Sequence, residues 1–190
     1  MKRMVIVLGV TAVMAAVVAL TAGTALAQEE SLPDLTIDKT GPSTATPTPD
    51  DPWVMYYIDV ANVGSGDAFW PSDTVLVRDD VRSHAGMFQG VTVGNFETIE
   101  GLTGLCCINV QPQPTTPVRT RMIWEWTNPP WESTDAIISP GGALRRASLG
   151  VGIRAPSGYV LNCATVDPDN VIVESDESNN TDCVTTKIVR

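Results

Sequence analysis

Four kinds of side chain in this 190-residue sequence could carry chemistry: cysteines, clustered carboxylates, tryptophans and one histidine. The cysteines are Cys106, Cys107, Cys163 and Cys183. They lack the paired C-x-x-C spacing of a zinc site, and His84 is the single histidine available to complete one. Oxidised, four cysteines allow three disulfide connectivities on paper. The carboxylates Asp167, Asp169, Glu174 and Asp176 supply hard oxygen ligands of the kind calcium takes. Their segment lacks the glycine and the terminal spacing of an EF-hand loop, so turn chemistry competes with a calcium site. Trp124, Trp126 and Trp131 lie in Trp124-Glu125-Trp126-Thr127-Asn128-Pro129-Pro130-Trp131. On a strand, Trp124 and Trp126 share a face, and a flat pair of indoles can stack on sugar rings, with Glu125 or Asn128 as polar anchors. The competing expectation is that they plug the open edge of a β-sandwich, as buried tryptophans do. Trp53 and Trp70 flank strand ends and read as core.

Catalytic constellations are missing from the pattern. His84 sits in Arg82-Ser83-His84-Ala85-Gly86, without the G-x-S-x-G elbow of a serine hydrolase, and reads as an exposed loop residue. Paired carboxylates for glycoside hydrolysis would have to come from the acidic cluster, which turn chemistry already accounts for. No phosphate-cradling glycine loop precedes a helix. The expectation is a protein without enzymatic activity and without a resident cofactor, calcium apart.

The elements that must position these residues are strands. Short alternating or β-branched runs, separated by Pro, Gly, Asp and Asn clusters, predict an all-β sandwich or barrel. Leu35 to Lys39 is a first strand, and Gly41 to Pro52 a Pro/Thr/Asp linker unable to hold a central strand. From Val54 to Val63, Val54, Tyr56, Ile58 and Val60 fall on one face and Asp59 and Ala61 on the other. Asn62-Val63-Gly64-Ser65-Gly66 turns the chain, and Thr74 to Arg78 is a third strand. Residues from about 83 to 135 read as a long insertion. Pro140-Gly141-Gly142 is a turn ahead of strands at Leu144 to Ile153, Tyr159 to Val166 and Thr181 to Val189, the last two forming a hairpin with an acidic tip.

Residues 1–27 have the order of a secretory signal peptide: basic Lys2 and Arg3, an apolar run from Val5 to Leu20, and small residues Thr24-Ala25-Leu26-Ala27 before polar Gln28. The C-terminal Lys187-Ile188-Val189-Arg190 carries no second apolar segment or wall-sorting motif. Residues 28–190 then form a single domain, secreted to the cell exterior with no stable membrane insertion. Two of the 12 basic residues and none of the 22 acidic ones lie in the signal, so the remainder carries a net charge of −12. A field of that sign repels phosphate backbones and excludes nucleic acid as a partner.

The segment Asp167-Pro168-Asp169-Asn170-Val171-Ile172-Val173-Glu174-Ser175-Asp176-Glu177-Ser178-Asn179-Asn180-Thr181 resembles the closing hairpin of the bacterial cell-adhesion-related domain family, CARDB, with its pattern D-x-x-N-x-V-x-E-x-x-E-x-N-N. Leu32-Pro33-Asp34-Leu35-Thr36-Ile37 is similar to that family's P-D-L-x-V opening. Ile58-Asp59-Val60-Ala61-Asn62-Val63-Gly64 resembles its second strand, and Pro140-Gly141-Gly142 falls at its P-G turn. The resemblance covers residues 32–82 and 136–189 and not the insertion. It implies an immunoglobulin-like antiparallel β-sandwich of about seven strands, working as an exported adhesion or surface-interaction module with an extracellular protein or polysaccharide as partner. A carbohydrate-binding module using the insertion tryptophans and a calcium-stabilised structural protein are the alternatives.

Within the hairpin, Asp-Pro starts a turn, while Val171 and Val173 are expected to tuck under the tip with Glu174, Asp176 and Glu177 in water. Cys163 and Cys183 are each ten residues from Val173, as opposed residues of a symmetric hairpin would be. Alternation puts both sulfurs on the outer face, which favours a Cys163–Cys183 bridge. Cys106 and Cys107 remain unassigned among a vicinal disulfide, an intermolecular link and free thiols.

Overall fold

The computed structural model describes residues 30–83, 88–94, 96, 98–103, 109–113, 121–127, 136–154 and 157–189. Residues 1–27, expected as a signal peptide, and His84, Cys106, Cys107 and Trp131 lie outside the described residues. The chain divides into Met1–Glu30 and Ser31–Arg190, and the second unit is described here.

Among the described residues, twelve strands build two sheets: β1 (Leu35–Thr40), β2 (Thr44–Ala45), β3 (Trp53–Asn62), β4 (Ala68–Trp70), β5 (Val75–Ser83), β6 (Phe88–Gly94), β7 (Thr98–Thr103), β8 (Asn109–Gln113), β9 (Arg121–Thr127), β10 (Ala136–Ile153), β11 (Gly158–Val166) and β12 (Thr181–Ile188). The first sheet runs β1-β3-β10-β4, with β6 and β7 also paired to β10. The second runs β2-β12-β11-β5-β9-β8. Every pairing is antiparallel except β2 with β12, which is parallel. The opening strand thus begins in one sheet and crosses to the edge of the other, beside the last strand. With the β1-β3-β10 and β12-β11-β5 orders, this defines an immunoglobulin-like β-sandwich. The crossing needs Gly41, where a Cβ would collide with Cδ1 of the Tyr56 ring.

The alternation expected for β3 is present: Val54, Tyr56, Ile58 and Val60 are all buried, each at most 2 % exposed. Trp53 lies one step out of phase with that set and points to solvent at 40 % exposure, contrary to its reading as core, whereas Trp70 is fully buried. Pro140-Gly141-Gly142 does not reverse the chain. It lies inside the 18-residue β10, where Gly141 has φ +76° and the pairing to β7 slips between Ile138 and Ala143. A second irregularity falls between Leu144 and Ala147, where Arg146 has φ +60°. These bends let one strand pair with β4 at its start and β3 at its end.

The stretch expected as an insertion is not an appendage where it is described. β6 and β7 extend the first sheet beside β10, and β9 and β8 extend the second beside β5. Both sheets therefore have six strands, which is why the count exceeds the expected seven.

Two apolar clusters fill the space between the sheets. One contains Leu35, Ile37, Ile58, Val60, Trp70, Val77 and Trp126. The other contains Val54, Tyr56, Val81, Leu149, Val160 and Ile188. Between them lies a buried polar level. Lys39 follows Ile37 on β1, Asp79 separates Val77 from Val81 on β5, and Asn162 separates Val160 from Ala164 on β11. Lys39 Nζ is 2.7 Å from Asp79 Oδ2, with both side chains fully buried. Tyr56 donates to Thr186 Oγ1 at 2.8 Å, and Thr186 donates to the Pro42 carbonyl at 2.7 Å.

Cys163 opposes Cys183 in the β11–β12 ladder, and the two form a disulfide with Cα atoms 4.0 Å apart. Their outward phase follows from the burial of Asn162 and Ala164 on either side of Cys163. The bridge closes a 20-residue separation, so replacing both cysteines by serine is expected to cost about 2–4 kcal/mol, read as a lower urea midpoint. Peptide mapping without reduction is expected to join Cys163 to Cys183. A fragment joining either one to Cys106 or Cys107 would contradict the assignment.

Candidate functional site

The acidic tip is built differently from its expected form. Asp167 and Asn170 both take left-handed backbone conformations, φ +43° and +51°, which short polar side chains tolerate. The Asp167 carboxylate accepts the N–H groups of Val171 at 3.1 Å and Ile172 at 2.8 Å. That turn shifts the phase of the residues after it by one. Ile172 joins the core and Glu174 is buried at 7 % exposure, while Val171 and Val173 stand outward at 44 % and 73 %. The expected placement of the two valines under the tip and of Glu174 in water is therefore reversed.

Glu174 is the pin that fastens the tip to the start of the domain. Its carboxylate accepts the Leu35 N–H and, at 2.9 Å, the Asn180 side-chain amide. Ser175 N–H donates to the Pro33 carbonyl at 2.8 Å, and the Asn179 amide to Asp34 Oδ1 at 2.7 Å. Burial pushes the Glu174 carboxyl up to about 7, against the pull of its Leu35 and Asn180 donors. Asp169 lies exposed and reaches Arg78 Nη2 at 3.1 Å. Asp176 is exposed and closes a local turn by accepting both the N–H and the hydroxyl of Ser178, bonds that hold its carboxyl below the usual range. The four residues offered for calcium thus do four separate structural jobs. Among the described residues no group of three His, Cys, Asp or Glu side chains is placed to hold a metal ion.

The tryptophan pair offered for sugar stacking faces inward. Trp126 is fully buried, with its ring 6.2 Å from Phe96, and Trp124 packs against both core clusters. The physical reason is that β9 is an interior strand of its sheet, between β5 and β8, so its inward face belongs to the core. Trp131 lies outside the described residues.

An exposed aromatic surface exists elsewhere. On the outer face of β3, Trp53, Met55 and Tyr57 stand 40 %, 36 % and 37 % exposed, at alternate positions covering about 13 Å along the strand. Across β10 they oppose Gly152, Gly150 and Ser148, and one strand further Gly90, Thr92 and Gly94. The glycines let the large side chains lie over the sheet. A Cβ on Gly150 would come within 2.8 Å of Met55 Sδ, and one on Gly90 within 3.4 Å of the Trp53 ring. The result is a strip of aromatic and thioether surface with hydroxyls of Thr92 and Ser148 beside it. At one end Arg146 stacks on Tyr57, its guanidinium 5.7 Å from the ring centre, and Asp59 holds the Arg146 backbone N–H at 2.8 Å. Sequence reasoning misses this strip when it takes only the buried phase of β3 into account. The alternation that places Tyr56 and Ile58 inward also places Trp53, Met55 and Tyr57 outward.

No protein-family model matches the chain, and no curated protein matches it. Solved structures are similar to it in fold. The CARDB domain of a Pyrococcus furiosus protein, in complex with di-metal ions, is 18 % identical, covers 83 % of this chain and 90 % of its own, and has a TM-score of 0.40. The collagen-binding domain of a Staphylococcus aureus adhesin is 9 % identical over 82 % of this chain and 97 % of its own, with a TM-score of 0.35. The C-terminal domain of the Streptococcus agalactiae AgI/II polypeptide BspA is 13 % identical over 82 % of this chain and 50 % of its own, with a TM-score of 0.40. The immunoglobulin-like assignment stands on this chain's own strand order and register.

The Glu174 environment has a pH consequence. A carboxyl raised from 4.5 to about 7 on folding holds a proton that the unfolded chain releases. Its contribution to stability is therefore complete below about 4.5 and lost as pH rises through about 7. The melting temperature is expected to fall between pH 5 and pH 8, and Glu174→Gln is expected to flatten that slope. A slope unchanged in the variant would place the titration on another group.

Proposed function

We propose that this chain is an exported, non-catalytic surface-interaction module that binds an extracellular protein through the Trp53–Met55–Tyr57 strip. The observation that carries the reading is the exposure of three large side chains in one line on a sheet face, floored by glycine. Monomeric proteins seldom leave such a surface uncovered without use. Tyr, Trp, Met and Arg are the residue types enriched at the cores of protein interfaces, where charged side chains form the rim. Here Arg146 closes one end of the strip, and Asp38 and Asp59 stand opposite one another on β1 and β3 beside it. The chain's net charge of −10 favours a partner whose apolar patch is ringed by cations, which speeds encounter as well as selecting it. The double-sheet scaffold supports this use, because binding surfaces are most precise on elements held rigid from behind.

The reading is tested by retention of the oxidised protein on intact cells of the producing culture. The comparison set is protease-treated cells, insoluble polysaccharides and a Trp53→Ala/Tyr57→Ala variant. Retention on intact cells that is lost after protease treatment, and reduced at least tenfold in the variant at unchanged melting temperature, is the expected result. Retention that survives protease treatment, or that transfers to a polysaccharide, would replace the protein partner with a glycan. Absence of retention together with concentration-dependent dimerisation lost in the variant would make the strip a self-association face and overturn the proposal.

A further inference from the structure

The buried Lys39–Asp79 pair has the geometry of two reactants. Lys39 Nζ lies 2.7 Å from Asp79 Oδ2, and neither side chain has any exposed surface. The two residues sit on strands of opposite sheets, β1 and β5, in the polar level between two apolar clusters. An ordinary buried ion pair satisfies its remaining lone pairs with further donors. Here Asp79 Oδ1 has no hydrogen-bond partner among the described residues, and neither does either side-chain polar atom of Asn162. Asn162 is the diagonal inward neighbour of Asp79, which opposes Ala164 in the β11–β5 ladder. The charged groups facing the pair are few: Asp182, whose Oδ2 accepts the Lys39 backbone N–H at 2.8 Å, and Asp80, next in the chain to Asp79 and turned outward to Arg121 and Arg82. The Tyr56 ring lies 5.7 Å from Nζ.

We propose that Lys39 and Asp79 condense within the folded protein to an intramolecular amide, a covalent strap between the two sheets. Return of the shared proton from the ammonium to the carboxylate gives a neutral amine beside a neutral acid. Burial moves both groups toward that state: desolvation lowers the Lys39 value and raises that of Asp79 to about 6, each against the opposing attraction of its partner. The amine lone pair then attacks Asp79 Cγ. The Nζ–Cγ bond forms, the Cγ–O bond to the protonated oxygen breaks, and that hydroxyl leaves with one amine proton as water. The balance is amine plus acid giving amide plus water, with no oxidant, reductant or cofactor. Proximity does the work that activation would otherwise do, since two oriented groups held in contact react as though at very high concentration. Full burial also protects the amide from hydrolysis. The Asn162 amide lies diagonally inward of Asp79 across the strand pair, next to the directly opposed Ala164.

The test is the intact mass of the oxidised protein in denaturant, referred to its measured N-terminus, with tandem mass spectrometry of its proteolytic fragments. The expected result is a mass lower by one water than the sequence with its disulfide hydrogens removed, and a branched peptide joining Lys39 to Asp79. Lys39→Arg, which keeps a cation but removes the amine nucleophile, is expected to restore the full mass. A wild-type mass equal to the sequence, or a water loss mapped to any other residue, overturns the proposal, and neither result depends on how well the variant folds.

Discussion

A lysine and an aspartate in contact in the middle of an apolar core are the constraint around which this sandwich is arranged. Lys39 and Asp79 are removed from water completely, and bringing them in as ions costs several kcal/mol per ion. That cost is tolerated only where the partners stay in contact, so the pair demands that β1 and β5 keep a fixed spacing across the two sheets. Apolar layers above and below provide this. Ile37, Val77 and Ala164 lie on one side of the polar level, and Tyr56, Val81 and Val160 on the other. A slip of β1 by one residue would carry Lys39 outward and leave Asp79 uncompensated, because side chains alternate across a strand. The pair thus specifies register as much as it contributes stability.

The same logic of tying the beginning of the domain to its end recurs at the hairpin tip. Glu174 takes the first free N–H of β1, and Ser175 and Asn179 fasten residues 33 and 34. At the opposite end, β2 pairs with β12 through Thr44 and Ala45. β1 pairs with β3 along its length, and these contacts fasten the opening segment to the last hairpin as well. With β1 held along its length, its neighbour β3 is paired on both sides, and Trp53, Met55 and Tyr57 lie on its outer face.

Much of the architecture is legible in the residues. Period-two burial in β3 identifies the strand and its inward face, and the symmetric spacing of Cys163 and Cys183 about Val173 agrees with their opposition in the ladder. The tip departs from its expected form because a left-handed Asp167 changes the phase of the residues after it, and no alternation rule registers a positive φ at a non-glycine residue. Pro140-Gly141-Gly142 carries strong turn composition, yet tertiary pairing on both sides of β10 absorbs it as a bend. The insertion tryptophans invite a binding role because their residue type suits one. The inward packing of Trp124 and Trp126 depends on which strands flank β9, which is a long-range fact that local pattern does not contain. The exposed strip is legible in principle, since Trp53, Met55 and Tyr57 are the odd members of the same alternating run.

The central claim is that Lys39 and Asp79 act as one unit, and a double-mutant cycle measures this directly. Chemical denaturation of Lys39→Met, Asp79→Leu and the double variant gives the coupling. Each single change strands a buried polar group and is expected to cost about 3–5 kcal/mol, with the double variant no less stable than either single one. Costs that simply add, to within about 0.5 kcal/mol, would contradict the account and reduce the pair to two independent buried residues.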